Sequence, residues 1–461
     1  MPYDDGQVAV ALRPPLDGGA WAWNSFVLCR VRDREILAFA ELCDGDVIWL
    51  HGLDGERAAL LEANRGVDID IYPNETTTAA RWRATVVLEG RLGNIFRGSM
   101  HGLRIERERG ATGRFVRIVY KGIALPGYSH AVWLQTDDKH RRNVGYSFFE
   151  LFDRRIILSC VGDEESPENQ YVGVTIDGGY PTQAELDAIE LVLYLLAGVG
   201  GVRQCVEMYD DDARWGSTQY HRLGHAAFRE RRFIFPAEEC VKAEFYERIA
   251  EMCVAAKGVI ERAVPLRALL FHVFASQQPV PEIAITHLAI ALDGIKTAVV
   301  EKIQGEGKLM PQPEFCRRIR PVIAAARAEF SAEEDVEKLN HLLIRINNSN
   351  NWSEKRRWQR FWSEYVQYEP TAEEERILEH RGSAIHSAYI LLTEYDLALR
   401  QDEEVDGRAY EVRLAELISD AAIFRNVLNR VLLMLLRYRG PIVDFSNHQQ
   451  RLNVGDPHRL A

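Results

Sequence analysis

Several things this sequence lacks limit what it can be. It has no Cys-x-x-Cys pair, and its seven cysteines (Cys29, Cys43, Cys160, Cys205, Cys240, Cys253 and Cys316) are odd in number and widely scattered. That pattern argues against a structural zinc finger, the ordinary globular composition rules out a disulfide scaffold, and thiols in a reducing cytoplasm are expected. The amino end lacks the basic and apolar regions of a secretory signal, so cytoplasmic residence is expected. The apolar stretch Ala188 to Val202 contains Glu190 and several glycines and falls short of a membrane span, so no membrane partner is expected. Low-complexity segments and internal repeats are missing too. Lysine is scarce, since 47 of the 56 basic residues are arginine. The formal net charge of −12 argues against blanket binding to nucleic acid, which depends on neutralising phosphates with cations.

What is present is ordinary globular material, 47% hydrophobic and 27% charged over 461 residues, enough for two or three domains. From residue 1 to about 180 the pattern is short apolar runs broken by Gly, Asp and Asn. They are Val8–Leu12, Phe26–Val31, Ile36–Leu42, Val47–Leu50, Ala84–Leu88, Phe115–Tyr120, Ala131–Leu134, Ile156–Val161 and Val172–Ile176. Such runs read as strands of an antiparallel sandwich or barrel, with Asp44-Gly45 and Asp54-Gly55 as turns. Thr182 and Glu185 form a capping-box pattern that opens a helix to about Leu196, and glycines 198, 200 and 201 end it.

From Ala237 the periodicity becomes helical almost to the end. Helices are expected near 238–262, 265–276, 281–304, 312–329, 332–346, 352–367, 371–398 and 409–438. The fold class is therefore α+β. A β-rich domain at 1–180, expected to sense or regulate, is joined by a mixed segment at 181–236 to an all-α bundle at 237–461.

Familiar motifs are few. The glycine-rich 197–202 stretch lacks the Lys-Ser/Thr of a phosphate loop. His221 and His225 have helical spacing for a metal, but no acid stands beside the first and no third ligand is evident, so no metal or other cofactor is expected. The informative stretch is Glu379-His-Arg-Gly-Ser-Ala-Ile-His-Ser-Ala-Tyr389. Thr371 and Glu374 form a capping box ahead of it, and Ile377, Arg381, Ile385, Ala388 and Leu392 make one stripe at helical spacing. An arginine in an apolar stripe is costly unless something anionic meets it. Ser383 and Tyr389 lie one turn either side of His386 and are placed to orient its imidazole. A histidine can move a proton to or from a ribose hydroxyl, and an arginine can hold a phosphodiester. One Arg and one His supply only half of an acid–base pair, so a symmetric dimer is the natural arrangement.

On these residues the chain resembles the HEPN family of helical ribonucleases, whose signature is an Arg-x4–6-His pair late in a helical bundle. The resemblance spans roughly residues 245–445. Ala284–Ile295 resembles the family's long early helix, with Asp293 where an acidic residue often stands. Gly382 stands where a polar residue is common, and Tyr389 lies three residues past the histidine where some members have a tyrosine two past. The resemblance implies Arg381 and His386 as catalytic residues, Asp293, Ser383 and Tyr389 as supporting ones, and RNA as substrate. The layout, with a non-helical first half, also resembles ApeA-like abortive-infection proteins. That likeness implies a restrained antiphage toxin answering to a phage-derived trigger.

Other arginine–histidine pairs have a plainer reading. Arg267 to His272 is filled with bulky apolar residues, as in a buried helix, while Arg214–His221 and Arg451–His458 span glycine-containing stretches. Arg425-Asn426 begins like the motif, but Arg430 stands where a histidine is required. The stretch Lys355-Arg356-Arg357-Trp358-Gln359-Arg360-Phe361-Trp362 suggests that the four cations line an RNA approach. Its three aromatics, at i, i+3 and i+4, are expected in the core. The alternative to an RNase is a noncatalytic helical dimerisation or nucleotide-binding module, with Arg381 and His386 in a binding or polar packing role.

Overall fold

The computed structural model describes residues 23–221, 233–261, 281–378 and 407–454, together with Gln7, Val10 and Ala11. Short stretches at 32–33, 43–46, 65, 74–79, 108–112, 122, 136–140, 164–165, 199–201, 304–307, 331–335 and 448–449 fall outside that set. The chain divides into two compact units, Met1–Val254 and Ala255–Ala461.

The first unit begins with β1 (Trp23–Val31), β2 (Arg34–Leu42) and β3 (Val47–His51), followed by helix α1 (Gly55–Glu62). Next come β4 (Gly66–Pro73), β5 (Ala80–Leu92) and β6 (Ile95–Arg107). These six strands pair antiparallel in the order β3-β2-β1-β4-β5-β6, and β3 pairs with β6 to close a barrel. Alternation gives the strands one apolar face: Val27, Cys29 and Val31, then Ile36, Ala38 and Ala40, then Val67, Ile69 and Ile71 all belong to one core. In β6 the inward set passes from Phe96 and Met100 to Leu103 and Ile105. The pairing slips there, between Arg83↔Arg104 and Thr85↔His101, and Gly102 supplies the φ of +62° that the bulge requires. Asp54, expected in a turn, is instead the N-cap of α1, its carboxylate accepting from Arg57 N at 2.9 Å.

The sheet then continues past β6 through β7 (Phe115–Lys121), β8 (His130–Gln135), β9 (Arg141–Leu151), β10 (Arg154–Asp163) and β11 (Ser166–Asp177). Helix α2 (Gln183–Ala197) follows, then β12 (Val202–Tyr209) and β13 (Trp215–Tyr220). The spatial order beyond the barrel is β6-β13-β12-β7-β11-β10-β9-β8, with every described pairing antiparallel. The 181–236 segment thus does more than connect, because β12 and β13 complete the middle of the sheet. The α2 cap is as the sequence predicts: Thr182 Oγ1 accepts from Glu185 N, the Glu185 carboxylate accepts from Thr182 N, and Gly198 ends the helix at φ +64°.

Short helix α3 (Ala237–Cys240) and helix α4 (Ala243–Glu261) come next, and α4 runs across the unit boundary. Tyr246 of α4 donates to Gly127 O at 3.0 Å and stacks on Phe149 of β9. Arg117 and Tyr120 project to opposite faces of β7, and both meet buried carboxylates. Tyr120 donates to Glu190 of α2, which also receives Arg203 Nε at 2.7 Å. On the other face Arg117 meets Glu207 and Tyr209 of β12, and its Nη1 donates to Val10 O. The run Val8–Leu12, expected as a strand, differs: Gln7, Val10 and Ala11 are helical and buried. Five apolar or near-apolar residues between polar ones suit either a strand or one helical turn, and here i, i+3 and i+4 face the sheet.

Burial pushes the thiols of Cys29 and Cys240 up to about 12 and raises those of Cys205 and Cys253, whereas Cys316 is exposed. Because the thiolate is the nucleophile, iodoacetamide at pH 8 should label Cys316 far faster than these four in the native protein. Peptide mass spectrometry before and after denaturation checks it.

Among its described residues the second unit is helical apart from a small hairpin and an isolated bridge between Lys308 and Asn351. Its elements begin with α5 (Pro281–Thr297), which runs on as a π-helical turn at Ala298–Ile303. Then come α6 (Gln312–Glu329), α7 (Val336–Asn348) and α8 (Glu354–Arg360) with a second π-helical turn at Phe361–Val366. Helix α9 occupies 372–378, and the long α10 (Gly407–Leu435) precedes β14 (Gly440–Val443) and β15 (Arg451–Val454). α5 packs on α10; Leu288, Ala291, Leu292 and Ile295 of α5 are buried, as are Phe424, Val427, Leu428, Val431 and Leu432 of α10. The segment Ile283–Val300 is long and apolar enough to cross a membrane by length and composition, and 61% of it is buried within the protein, as in a core helix. Asn350, fully buried, ties the start of α6 to the start of α8 by accepting from Met310 N at 3.1 Å and donating to Met310 O at 3.0 Å.

Candidate functional site

Arg381, Ser383, His386 and Tyr389 lie outside the described residues, as does all of 379–406. What is described is the frame around that stretch. The expected capping box is present: Glu374 N donates to Thr371 Oγ1 at 3.2 Å, and the Glu374 carboxylate accepts from Thr371 N at 2.8 Å. Ile377 is buried, in keeping with its place in the expected stripe.

Glu374 does more than cap. It is buried, and its carboxylate also accepts from Tyr368 OH at 2.6 Å and pairs with Arg430 of α10. The Arg430 guanidinium lies 4.9 Å from the Tyr368 ring centroid. Burial pushes the Tyr368 phenol well up, outweighing the opposing pull of Arg430, so it stays a hydrogen-bond donor. Two residues on, Arg376 reaches back to Asp420 of α10 at 2.8 Å. Two ion pairs therefore clamp α9 onto α10 immediately before the motif begins.

Helix α10 carries four buried polar residues in six positions, namely Arg425, Asn426, Asn429 and Arg430. Asn426 donates to Asp444 at 2.7 Å and accepts from Phe445 N, and Arg425 lies over the Phe445 ring. Burial acts to raise the Asp444 carboxyl, but hydrogen bonds from Ser446, Asn426 and the backbone N–H groups of Ser446 and Asn447 hold it below its ordinary value. The Arg425-Asn426 pair thus fastens the hairpin to α10, and Arg430 holds Glu374. Both are packing roles.

Asp293, the expected supporting acid, lies 2.8 Å from Lys296 in the last turns of α5. Lys296 is 2% exposed; it also pairs with Glu354 of α8 and sits 4.7 Å from the Trp358 ring centroid. This buried cation was missed from sequence, although an i, i+3 acid–lysine pair in an otherwise apolar helix was a usable signal.

Two of the three aromatics expected in the core are there, and Trp362 is half-buried. Trp358 and Phe361 are buried, and Trp358, Phe361 and Trp362 contact one another at 5.0–5.7 Å. The four cations there are not alike. Arg360 lies 2.6 Å from Glu364 and 4.4 Å from the Trp352 ring centroid, Arg356 lies over the same ring, and Arg357 is half-buried. Lys355 is exposed.

Of the other pairs, Arg267 and His272 lie outside the described residues, as do His225 and His458. Arg214 is exposed beside Asp212, and His221 sits at the end of β13. Among the described residues no group of three or more His, Cys, Asp or Glu is placed to hold a metal ion. No protein-family profile, curated protein or solved structure matches this chain.

Proposed function

We propose that the second unit is a HEPN-type endoribonuclease that cuts RNA without a metal, as a homodimer, in an antiphage abortive-infection role. The observation that supports the reading best is the clamp on α9. The helix that leads into Arg381 and His386 opens at the expected cap, and Glu374–Arg430 and Arg376–Asp420 hold it to the long helix that follows the motif. Catalysis by two side chains needs them held in place, and a lead-in helix fixed at two points is in keeping with that need.

In this reading the ribose 2′-oxygen attacks the adjacent phosphorus while a histidine takes its proton. The bond to the 5′-oxygen breaks, and that oxygen receives a proton from the complementary group of the partner subunit. Arg381 neutralises the charge that builds on the phosphoryl oxygens. The products carry a 2′,3′-cyclic phosphate and a 5′-hydroxyl. The β-rich unit would sense or restrain, with a phage-derived component as trigger.

Induction in a bacterial host, with and without phage challenge, tests the reading. Wild-type protein should arrest growth and fragment RNA, and Arg381→Ala/His386→Ala should do neither while accumulating to the same level. If the wild type never cuts RNA under either condition and the double variant loses its dimer, the motif is a packing contact in a noncatalytic module.

A further inference from the structure

We propose that the outer face of α6 is a docking surface for an RNA phosphate backbone, separate from the α8 cations. Arg317, Arg320, Ala324 and Arg327 stand at i, i+3, i+7 and i+10 of a helix and therefore share one face. With them on that face are Pro313, Cys316, Pro321 and Ala328, and all eight residues are exposed. The opposite face holds Phe315 and Ala326, both buried, together with Ile319 and Ile323.

Three features single this face out in a chain whose net charge is −12. First, Arg317, Arg320 and Arg327 form no ion pair or hydrogen bond among the described residues, whereas Arg318 on the flank is paired with Glu314. Second, the residues between the arginines are small or short, so the helix surface lies low between the guanidinium forks and a polymer can approach closely. Third, the arginines span about 15 Å along the axis at 1.5 Å per residue, long enough for the three forks to meet successive phosphates of one strand. Guanidinium forks bind phosphate oxygens bidentately and stay charged at every physiological pH.

A lipid surface fits less well. Interfacial helices insert bulky apolar side chains beside their cations, and this face presents only alanine, proline and cysteine. The choice of RNA as the polyanion rests on the ribonuclease reading, whereas the docking face itself rests on α6.

The test uses the full chain carrying Arg381→Ala and His386→Ala, so that bound RNA stays intact. Binding of a fluorescein-labelled single-stranded RNA is followed by anisotropy over a range of salt concentrations. Adding R317Q/R320Q/R327Q should weaken binding by at least about tenfold and reduce the slope of log affinity against log salt by about 2, three contacts at about 0.7 each. The lysine triple R317K/R320K/R327K should keep most of that slope. Bound RNA should also slow alkylation of Cys316, which sits on the same face, and should cease to do so in the glutamine triple.

The glutamine variant is an exposed-surface change, and its circular dichroism and melting midpoint should match the parent. Unchanged affinity and slope in that variant, or no RNA binding by the parent, overturns the docking face. So does binding to phosphatidylserine vesicles, in place of RNA, that the same triple abolishes. If the parent binds RNA through α6 and the wild type never cuts it, the docking face stands and the nuclease reading falls.

Discussion

Glu207→Ala should destabilise the first unit by about 3–5 kcal/mol, the cost of leaving a buried charge without its partner. Arg117 is 2% exposed and Glu207 0%. Burial alone would drive the guanidinium toward its neutral form, but the Glu207 carboxylate, with smaller help from Tyr209 and Cys205, raises its pKa above the ordinary value. Remove the carboxylate and a cation remains inside the sheet without its anionic partner, with Tyr209 OH and Val10 O among its remaining acceptors. At about 2–4 °C per kcal/mol for a unit of this size, the melting midpoint should fall by on the order of 10 °C.

The same pair holds the chain's first helical turn, because Arg117 reaches Val10 O while Gln7 donates to Arg155 O at 2.9 Å. Limited proteolysis should accordingly release the amino-terminal residues of Glu207→Ala first. Replacing both partners by apolar residues of similar volume, as in Arg117→Met/Glu207→Leu, should recover most of the loss. A melt of Glu207→Ala within about 1 kcal/mol of wild type would show that water reaches Arg117.

What the sequence disclosed depended on whether a signal was local. The caps of α2 and α9 are three-residue patterns, and both helices open where Thr182 and Thr371 predict. The bounds of α6 agree because proline stands at its start and Phe330 closes it at φ −100°. By contrast β6 mixes arginine, histidine and glycine, and its bulge at Gly102 moves the inward residues from even to odd positions, which erases simple alternation. Closure of the barrel by β3 against β6 joins segments about 50 residues apart and leaves no local trace. Within α8, composition counted the cations correctly but said nothing of Glu364 or Trp352, which occupy two of them. The α6 arginines drew no attention because their spacing matters only once the opposite face is known to be inside.

Loss of the His386 imidazole should lower the rate of RNA cleavage by about 10²–10⁴, the usual worth of a general acid or base. The Arg381→Ala change should cost a similar factor by removing the charge that meets the phosphoryl oxygens. Neither substitution should shift the melting midpoint by more than about 0.5–1 kcal/mol equivalent if the clamp through Glu374 and Asp420 fixes α9 independently of the motif. Purified protein should continue to cut in excess chelator, and the 5′-hydroxyl ends of the products should be labelled directly by polynucleotide kinase, while their 3′ ends resist ligation until the cyclic phosphate is opened and removed. A mixing experiment reaches the dimer directly. When wild-type and His386→Ala subunits are coexpressed in equal amounts, only about a quarter of randomly paired dimers keep both histidines. Activity should then follow the square of the wild-type fraction. A linear dependence would mean that each subunit cuts alone, and the paired acid–base mechanism would have to be given up even if His386 proved essential.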